Sequence, residues 1–442
     1  MDWVRHLSAE LDDPPEMVGG KAHGLVLLHR LGLPVPAGVV VTTEACRAFL
    51  RDGELPAGLV VELSATTLGQ SVSVRSGAAV SMPGMMDTIL DLRPTPDELA
   101  EAVRSVFASW DTPRARTYRT LHGIPHDLGT AVIVQRMVFG DRDDHSGSGV
   151  AFSRDPNTGE NVPFGEVLFG HQGSDVVSGR SLTQSLSALA DREPLVWRDL
   201  LDFLNRIEQH YRDACYVEFT YESGTLWLLQ VRPGRFTGAA AIHLATALAD
   251  SGEITREEAL KRVSPHHLQH ARTPRITSDA DVIARGLGVC PGVAAGRVAL
   301  TSDEAVRMAA EGPVVLVRPE TSPDDICGLA AATGIVTARG GPASHAAVVA
   351  RSMAKPAVVG VADLVVGTDS VAVPGHVVRA GEVVAIDGTS GVVVVGRPRV
   401  VTSGSDEDLR RLLGWADDVS GDRSARGEVE RLRAAQAVLR ER

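Results

Sequence analysis

His345 stands in GGPASHAAVVARSMAKPAVVG, residues 340–360, behind a glycine pair and ahead of small apolar residues. A neutral imidazole keeps a nitrogen lone pair near pH 7 and is a good nucleophile. Gly340, Gly341 and Pro342 predict a turn, Ser344 a helix start, and HAAVVARSM one or two helical turns. A helix N-terminus offers free N–H groups and a favourable dipole to an anion, so a phosphorylated ring suits this place. The spacing predicts an exposed ring nitrogen in the first turn. It supplies no metal-ligand partner at helical intervals, which argues against zinc. Taken alone, a histidine at such a place is more often an ordinary helix residue.

A second group of residues has the chemistry of phosphate binding. The chain has 3 lysines against 41 arginines, and one of them, Lys21, follows Gly19-Gly20. Its ammonium can meet phosphate as a point charge. Arg75 ends the alternating stretch SVSVR, in which Val72 and Val74 share one face and Ser71, Ser73 and Arg75 the other. A guanidinium there can bracket phosphate oxygens. Next comes SGAAVSMPGMMDT, carrying Ser76, Gly77, Ser81, Gly84, Asp87 and Thr88. It reads as a mobile phosphate loop hinged at Gly77 and Gly84, or as a methionine-lined core turn. Glu218, Gln230 and Arg232 fall on a predicted hairpin. A two-residue turn at Ser223-Gly224 would set Glu218 and Gln230 on opposite faces. A three-residue loop, Glu222-Ser223-Gly224, gives them a shared face and is the one predicted.

These residues need elements to position them. Residues 17–95 alternate helical and strand periodicity, 96–125 read as helix, and 130–235 are β-rich around the helical stretch LLDFLNRIEQHYRDA. The fold class is α/β (α+β) and multidomain. The predicted units are 1–235, a polar helical connector at 236–283, a Val/Gly/Ala-rich unit at 284–400, and a charged helical tail at 401–442 with no core of its own.

Composition narrows the function classes. At 442 residues the chain exceeds one ordinary core. Net charge is −12 with no basic cluster, so nucleic acid is not the expected partner. No apolar run is long enough to span a bilayer, and the first residues lack a signal-peptide core. The four cysteines form no CxxC pair, which suits a reducing cytoplasm.

The string TARGGPASHAAVVARSMAKPAVVG, with VLVRPETSPDD before it, closely resembles the phosphohistidine segment of enzymes that use phosphoenolpyruvate. GGKAHGLVLLHRLGLPVPAGVVVTTEAC, SVRSGAAVSMPGMMDTILDL, SGVAFSRDPNTGE and EFTYESGTLWLLQVRPG resemble the ATP-grasp region of pyruvate phosphate dikinase, in the same order, from about residue 17 to about 420. The resemblance implies an ATP-grasp-like nucleotide-binding region over 1–235 and a swivelling β/α phosphohistidine domain over 284–400. It implies His345 as phosphoryl carrier, with Arg318, Thr321, Gly340, Gly341 and Ser344 as its motif. It implies Lys21, Arg75 and Arg232 as phosphate contacts, and Glu218 and Gln230 as ligands of Mg2+ or nucleotide. ATP and inorganic phosphate would be substrates, with AMP and pyrophosphate released. The chain departs from the family at Tyr216, where an acidic residue is usual, and in shortened stretches at 46–75 and 92–107. Nothing after residue 420 resembles the family's phosphoenolpyruvate/pyruvate barrel, so the reading places the final acceptor on a separate barrel protein. Two alternatives stay open: transfer to another small molecule, such as an antibiotic or a biosynthetic intermediate, and a non-catalytic nucleotide-binding regulator. Homo-oligomer formation also stays open.

Overall fold

The structure, a computed structural model, describes residues 3–67, 69–173, 175, 183–234, 236, 238–277, 280–342, 344–403 and 406–441. Residues 278–279 of the expected connector, 404–405 of the expected tail and Ala343 in the histidine segment lie outside the described residues.

Two five-stranded sheets build the N-terminal unit. The first has the order β1-β2-β5-β3-β4, from Val4–His6, Gly38–Val41, Val72–Gly77, Thr88–Leu92 and Ala131–Arg136. The second has the order β10-β9-β6-β7-β8, with β6 Gly147–Phe152, β7 Phe164–Phe169, β8 Gln184–Ser185, β9 Cys215–Glu222 and β10 Thr225–Pro233. The helix Pro15–Arg30 touches both sheets, and one core runs from Leu25 and Ile133 to Val217 and Leu228. Alternation explains β3: Val72 and Val74 pack into a core with Leu99 and Val103, leaving Ser73 and Arg75 for the other face. The helix Pro96–Ser109 starts at a Thr95/Glu98 capping box, with proline in its first turn, and buries Leu99, Val103 and Val106.

The β9–β10 turn differs from the prediction. Glu222 pairs directly with Thr225, so the loop is the two residues Ser223 and Gly224. Both have positive φ (48° and 77°), as a type I′ turn requires. The shared face is recovered by a bulge: Leu228 pairs with Phe219, the register then shifts, and Gln230 pairs with Glu218. Leu229 is the additional residue, and it changes side-chain parity as a longer loop would have done. Sequence spacing fixes the parity required but not where the odd residue sits.

The second unit is an eight-stranded sheet ordered β12-β22-β21-β14-β15-β16-β17-β13. Its strands β14 Val293–Ala299, β15 Val314–Arg318, β16 Gly334–Thr337 and β17 Ala357–Val359 run parallel, with helices 302–309, 326–331 and 345–352 between them. The Val-rich runs are those expected of strands covered on both faces. β13 Leu287–Cys290 flanks β17; β12 Val282–Arg285, β21 Val383–Asp387 and β22 Val392–Val395 complete the sheet. A smaller sheet comprises β18 Val365–Val366, β19 Ser370–Val373 and β20 His376–Arg379.

The connector and tail also differ from expectation. Thr273–Ile276, placed in the helical connector, is strand β11 and pairs with β23, Val400–Ser403. The helices Gly238–Asp250, Arg256–Arg262 and Pro265–Gln269 pack with the C-terminal helices Asp406–Ser420 and Glu428–Glu441. Their common core holds Leu248, Leu260, Leu412 and Leu432. A tail judged coreless from its own residues is half of a core whose other half lies about 150 residues earlier.

Candidate active site

The first cluster lies between the two N-terminal sheets. Gly19 interrupts the helix Pro15–Arg30 with φ +80°, and a Cβ there would fall 1.5 Å from the Gly77 carbonyl oxygen. Only glycine permits that approach, which seats Lys21 beside Gly77 at the start of the 77–86 loop. The Lys21 ammonium has no hydrogen bond or ion pair among the described residues. Burial, with Arg75 and then Arg232 nearby, pulls its pKa down to about 7 against the opposing pull of Glu218.

Arg75 is buried and donates through Nη2 to Gln135 Oε1 (3.1 Å) and to the Leu229 carbonyl (2.8 Å), the residue inserted at the bulge. The bulge therefore does two things: it exposes a carbonyl to Arg75 and turns Gln230 onto the Glu218 face. Gln135, itself held by Nε2 donating to Pro36 O (2.7 Å), went unrecognised in the sequence. The signal was a polar residue amid the apolar run AVIVQ. Glu218 accepts from the Tyr216 hydroxyl (3.4 Å). The Arg232 guanidinium stacks 4.2 Å from the Tyr216 ring and reaches Ser81 Oγ at 3.4 Å. Gly77 N donates to Thr130 Oγ1 (3.3 Å), Ser76 precedes it on β3, and Thr88 pairs with Arg75 across β3–β4. Asp87 is engaged elsewhere: it accepts from Arg114 Nη2 (2.8 Å) and Ser105 Oγ (3.3 Å), tying the loop's end to helices 96–109 and 113–121.

The second cluster surrounds His345, the first residue of its helix. Ser344 is the N-cap, but its Oγ donates back to Gly341 O (2.7 Å), leaving the first-turn N–H groups without a side-chain cap. Thr321 Oγ1 lies 3.1 Å from His345 Nδ1. With Nδ1–H donating to that hydroxyl, Nε2 carries the lone pair. Contrary to the exposed ring predicted, His345 is half-buried and Nε2 is covered, with no hydrogen-bond partner among the described residues. The cover is Gly84 of the other unit's loop, where a Cβ would stand 3.3 Å from His345 Cδ2 and 3.2 Å from Pro323. Burial lowers the His345 pKa to about 4, against the smaller opposing pull of Asp325 and Asp324. Arg318 braces the segment by donating to Leu300 O (2.9 Å), and Gly340 adopts φ +99°.

One loop joins the clusters. Ser81 contacts Arg232, Gly84 contacts His345, and Met82, Met85 and Met86 are buried in an apolar cluster with Ala346, Val349 and Leu329. The methionine-core reading of this stretch therefore holds for Met82, Met85 and Met86, while Ser81 and Gly84 face the two clusters. Two more junction residues escaped the sequence reading. Glu166 on β7 is buried so close to Gly341 that a Cβ there would fall 2.3 Å from its carboxylate. Arg351, at the end of the His345 helix, lies 5.6 Å from the Phe152 ring. Neither has a local sequence signal, because each matters only across the junction.

Comparison with known proteins places this arrangement. Residues 59–200 match the family described as "Pyruvate phosphate dikinase, AMP/ATP-binding domain", and residues 310–391 match "PEP-utilising enzyme, mobile domain". Pyruvate, phosphate dikinase of Rhizobium meliloti is 34% identical over 91% of this chain and 58% of its own length. Pyruvate, phosphate dikinase 2 of Zea mays gives the same figures, and the Clostridium symbiosum protein is 34% identical over 94% of this chain and 60% of its own. The chain is thus similar to pyruvate phosphate dikinases over nearly its whole length and carries both matched domains. It spans somewhat under two thirds of these relatives. Both matched families fall on the units holding the two clusters, the nucleotide unit and the phosphohistidine unit.

A divalent cation would find oxygen donors here. Glu218 and Gln230 are register partners on β9 and β10. The described residues contain no group of three metal-ligating side chains. Mg2+ takes one or two protein oxygens and fills its shell with water and phosphate, so Glu218 and Gln230 would be the residues to hold it. No described helix is long and apolar enough to cross a membrane.

Proposed function

We propose that the chain transfers a phosphoryl group from ATP to His345, releasing AMP and pyrophosphate. The observation carrying this reading is the 81–86 loop, which touches the proposed phosphate contact Arg232 at one end and the nucleophile at the other. His345 Nε2 attacks the β-phosphorus of ATP, forming the N–P bond as the bond to AMP breaks. An oxygen of inorganic phosphate then attacks the terminal phosphorus of the pyrophosphorylated ring. Pyrophosphate departs and phospho-His345 remains, so ATP and phosphate are consumed and AMP and pyrophosphate formed. Lys21, Arg75 and Arg232 balance the charge that builds on the phosphates. Mg2+ held by Glu218 and Gln230 would add to that neutralisation. Gly84 covers Nε2 in the structure, so the loop moves aside to admit the β-phosphate.

Phospho-His345 then needs an acceptor, pyruvate by analogy with the name of the relatives. We place that site outside the described residues, on a separate barrel protein or another part of a longer chain, reached by a swivel of the phosphohistidine unit. Phosphorus NMR of the protein with ATP, Mg2+ and phosphate tests the chemistry: about one equivalent each of AMP and pyrophosphate is expected per chain. ADP as the product would refute the two-step route, and no nucleotide cleavage under conditions where ATP binds would favour the regulator.

A further inference from the structure

A cavity of about 350 Å3 lies where the nucleotide unit, the helical cluster and the phosphohistidine unit meet. None of the residues assigned above to nucleotide binding or to the carrier motif lines it. Its volume is that of a small-molecule site. One wall is apolar: Phe236, then Leu244 and Leu248 from the helix Gly238–Asp250. The opposite wall is the end of the His345 helix, with Arg351 and Ser352. Arg262, His266 and His267 also line it, together with one carboxylate, Asp213.

The charges there are unequal. Arg262 pairs loosely with Asp213 at 3.4 Å. Arg351 donates to the carbonyls of Pro342 (2.5 Å) and Val289 (3.3 Å), both neutral, and no carboxylate lies within ion-pair distance of it among the described residues. The Glu166 carboxylate acts on it from beyond ion-pair distance. His267 Nδ1 accepts from Ser264 N (3.2 Å), so the neutral ring's proton is on Nε2, a further donor. A half-buried guanidinium with neutral partners is costly and gains from an anion.

We propose that this cavity binds a small organic anion with an apolar body, its acidic group held by Arg351, Arg262 and His267 and its body lying on Leu244 and Leu248. Because Arg351 and Ser352 belong to one unit and the apolar wall to another, the cavity exists only while the units are docked. An occupant therefore favours the docked arrangement, in which Gly84 covers His345. The binding part stands independently of the phosphotransfer reading and is tested without ATP.

Calorimetry on the full chain with hexanoate, benzoate and the uncharged control hexanol tests it. Both carboxylates should bind with Kd of about 1 mM or tighter and hexanol at least about tenfold more weakly. Ala245→Phe, which narrows the apolar wall, and Arg262→Gln, which removes a cation, should each weaken carboxylate binding about tenfold. Hexanoate should also slow diethyl pyrocarbonate modification of His345, read by peptide mass. Equal binding of hexanol and hexanoate, binding unchanged in both variants, or no carboxylate binding by about 10 mM would overturn the site. Binding without protection of His345 would overturn its link to docking.

Discussion

The side chain that defines the chemistry here changes its acid–base character with its cover. Docked under Gly84, His345 has its pKa lowered to about 4 by burial, so its ring is neutral and nucleophilic at pH 7. Undocked, it returns toward the ordinary histidine value. The undocked ring then binds more protons between about pH 6.5 and 4, so docking is fully present above 6.5 and weakens as pH falls through that window. Diethyl pyrocarbonate does not react with protonated rings, so acid weakening is better read by small-angle scattering, which should show expansion toward pH 4. Lys21 behaves in the opposite sense. Its pKa of about 7 makes the free protein's amine largely neutral at pH 8, and triphosphate would restore the ammonium. ATP binding at pH 8 should thus take up close to one proton, found as a dependence of the calorimetric enthalpy on buffer ionisation heat. Lys21→Met should abolish most of that uptake, and uptake unchanged in the variant would remove Lys21 from the site. His345, Lys21 and Arg75 were legible because each stands in a distinctive local string. Gln135, Glu166 and Arg351 were not, since their roles are set by partners between about 60 and 200 residues away.

At the scale of elements, the β9–β10 hairpin shows where sequence reading stops. The need for Glu218 and Gln230 to share a face was legible. The device that achieves it, a bulge at Leu229 rather than a longer turn, was not, because its compensation lies in Arg75 on another sheet. The junction between units depends on a similar fit. At Gly341 an added Cβ would meet the Glu166 carboxylate at 2.3 Å, and Glu166 is too buried to retreat freely. Gly341→Ala should leave ATP affinity unchanged and slow phosphorylation of His345 about tenfold or more. Rapid-quench measurement of the first turnover checks this, and Glu166→Ala in the same chain should recover part of the rate. An unchanged rate in Gly341→Ala would show that this contact does not govern docking.

The whole molecule is three units built around one junction. Two were visible in the sequence as stretches of contiguous pattern. The third, the helical cluster, was not, because its core is assembled from segments on either side of the phosphohistidine unit, with Leu248 and Leu260 meeting Leu412 and Leu432. A polar, short-helix stretch and a charged tail each look coreless until they are paired. Leu412, fully buried there, tests that assembly: Leu412→Ala should cost about 2–5 kcal/mol in urea unfolding. A loss near zero would mean the tail helices contribute no core. The cluster connects to both ends of the phosphohistidine unit, through β11 and β23, and so would bound the swivel proposed above. The central claim, that His345 receives the phosphoryl group, is tested most directly with ATP labelled at the β-phosphorus. With Mg2+ and phosphate present, the wild-type chain should acquire one acid-labile, base-stable label on the peptide containing His345, and His345→Ala none. Label retained by His345→Ala, or absent from wild-type chain that demonstrably binds ATP, would contradict the account.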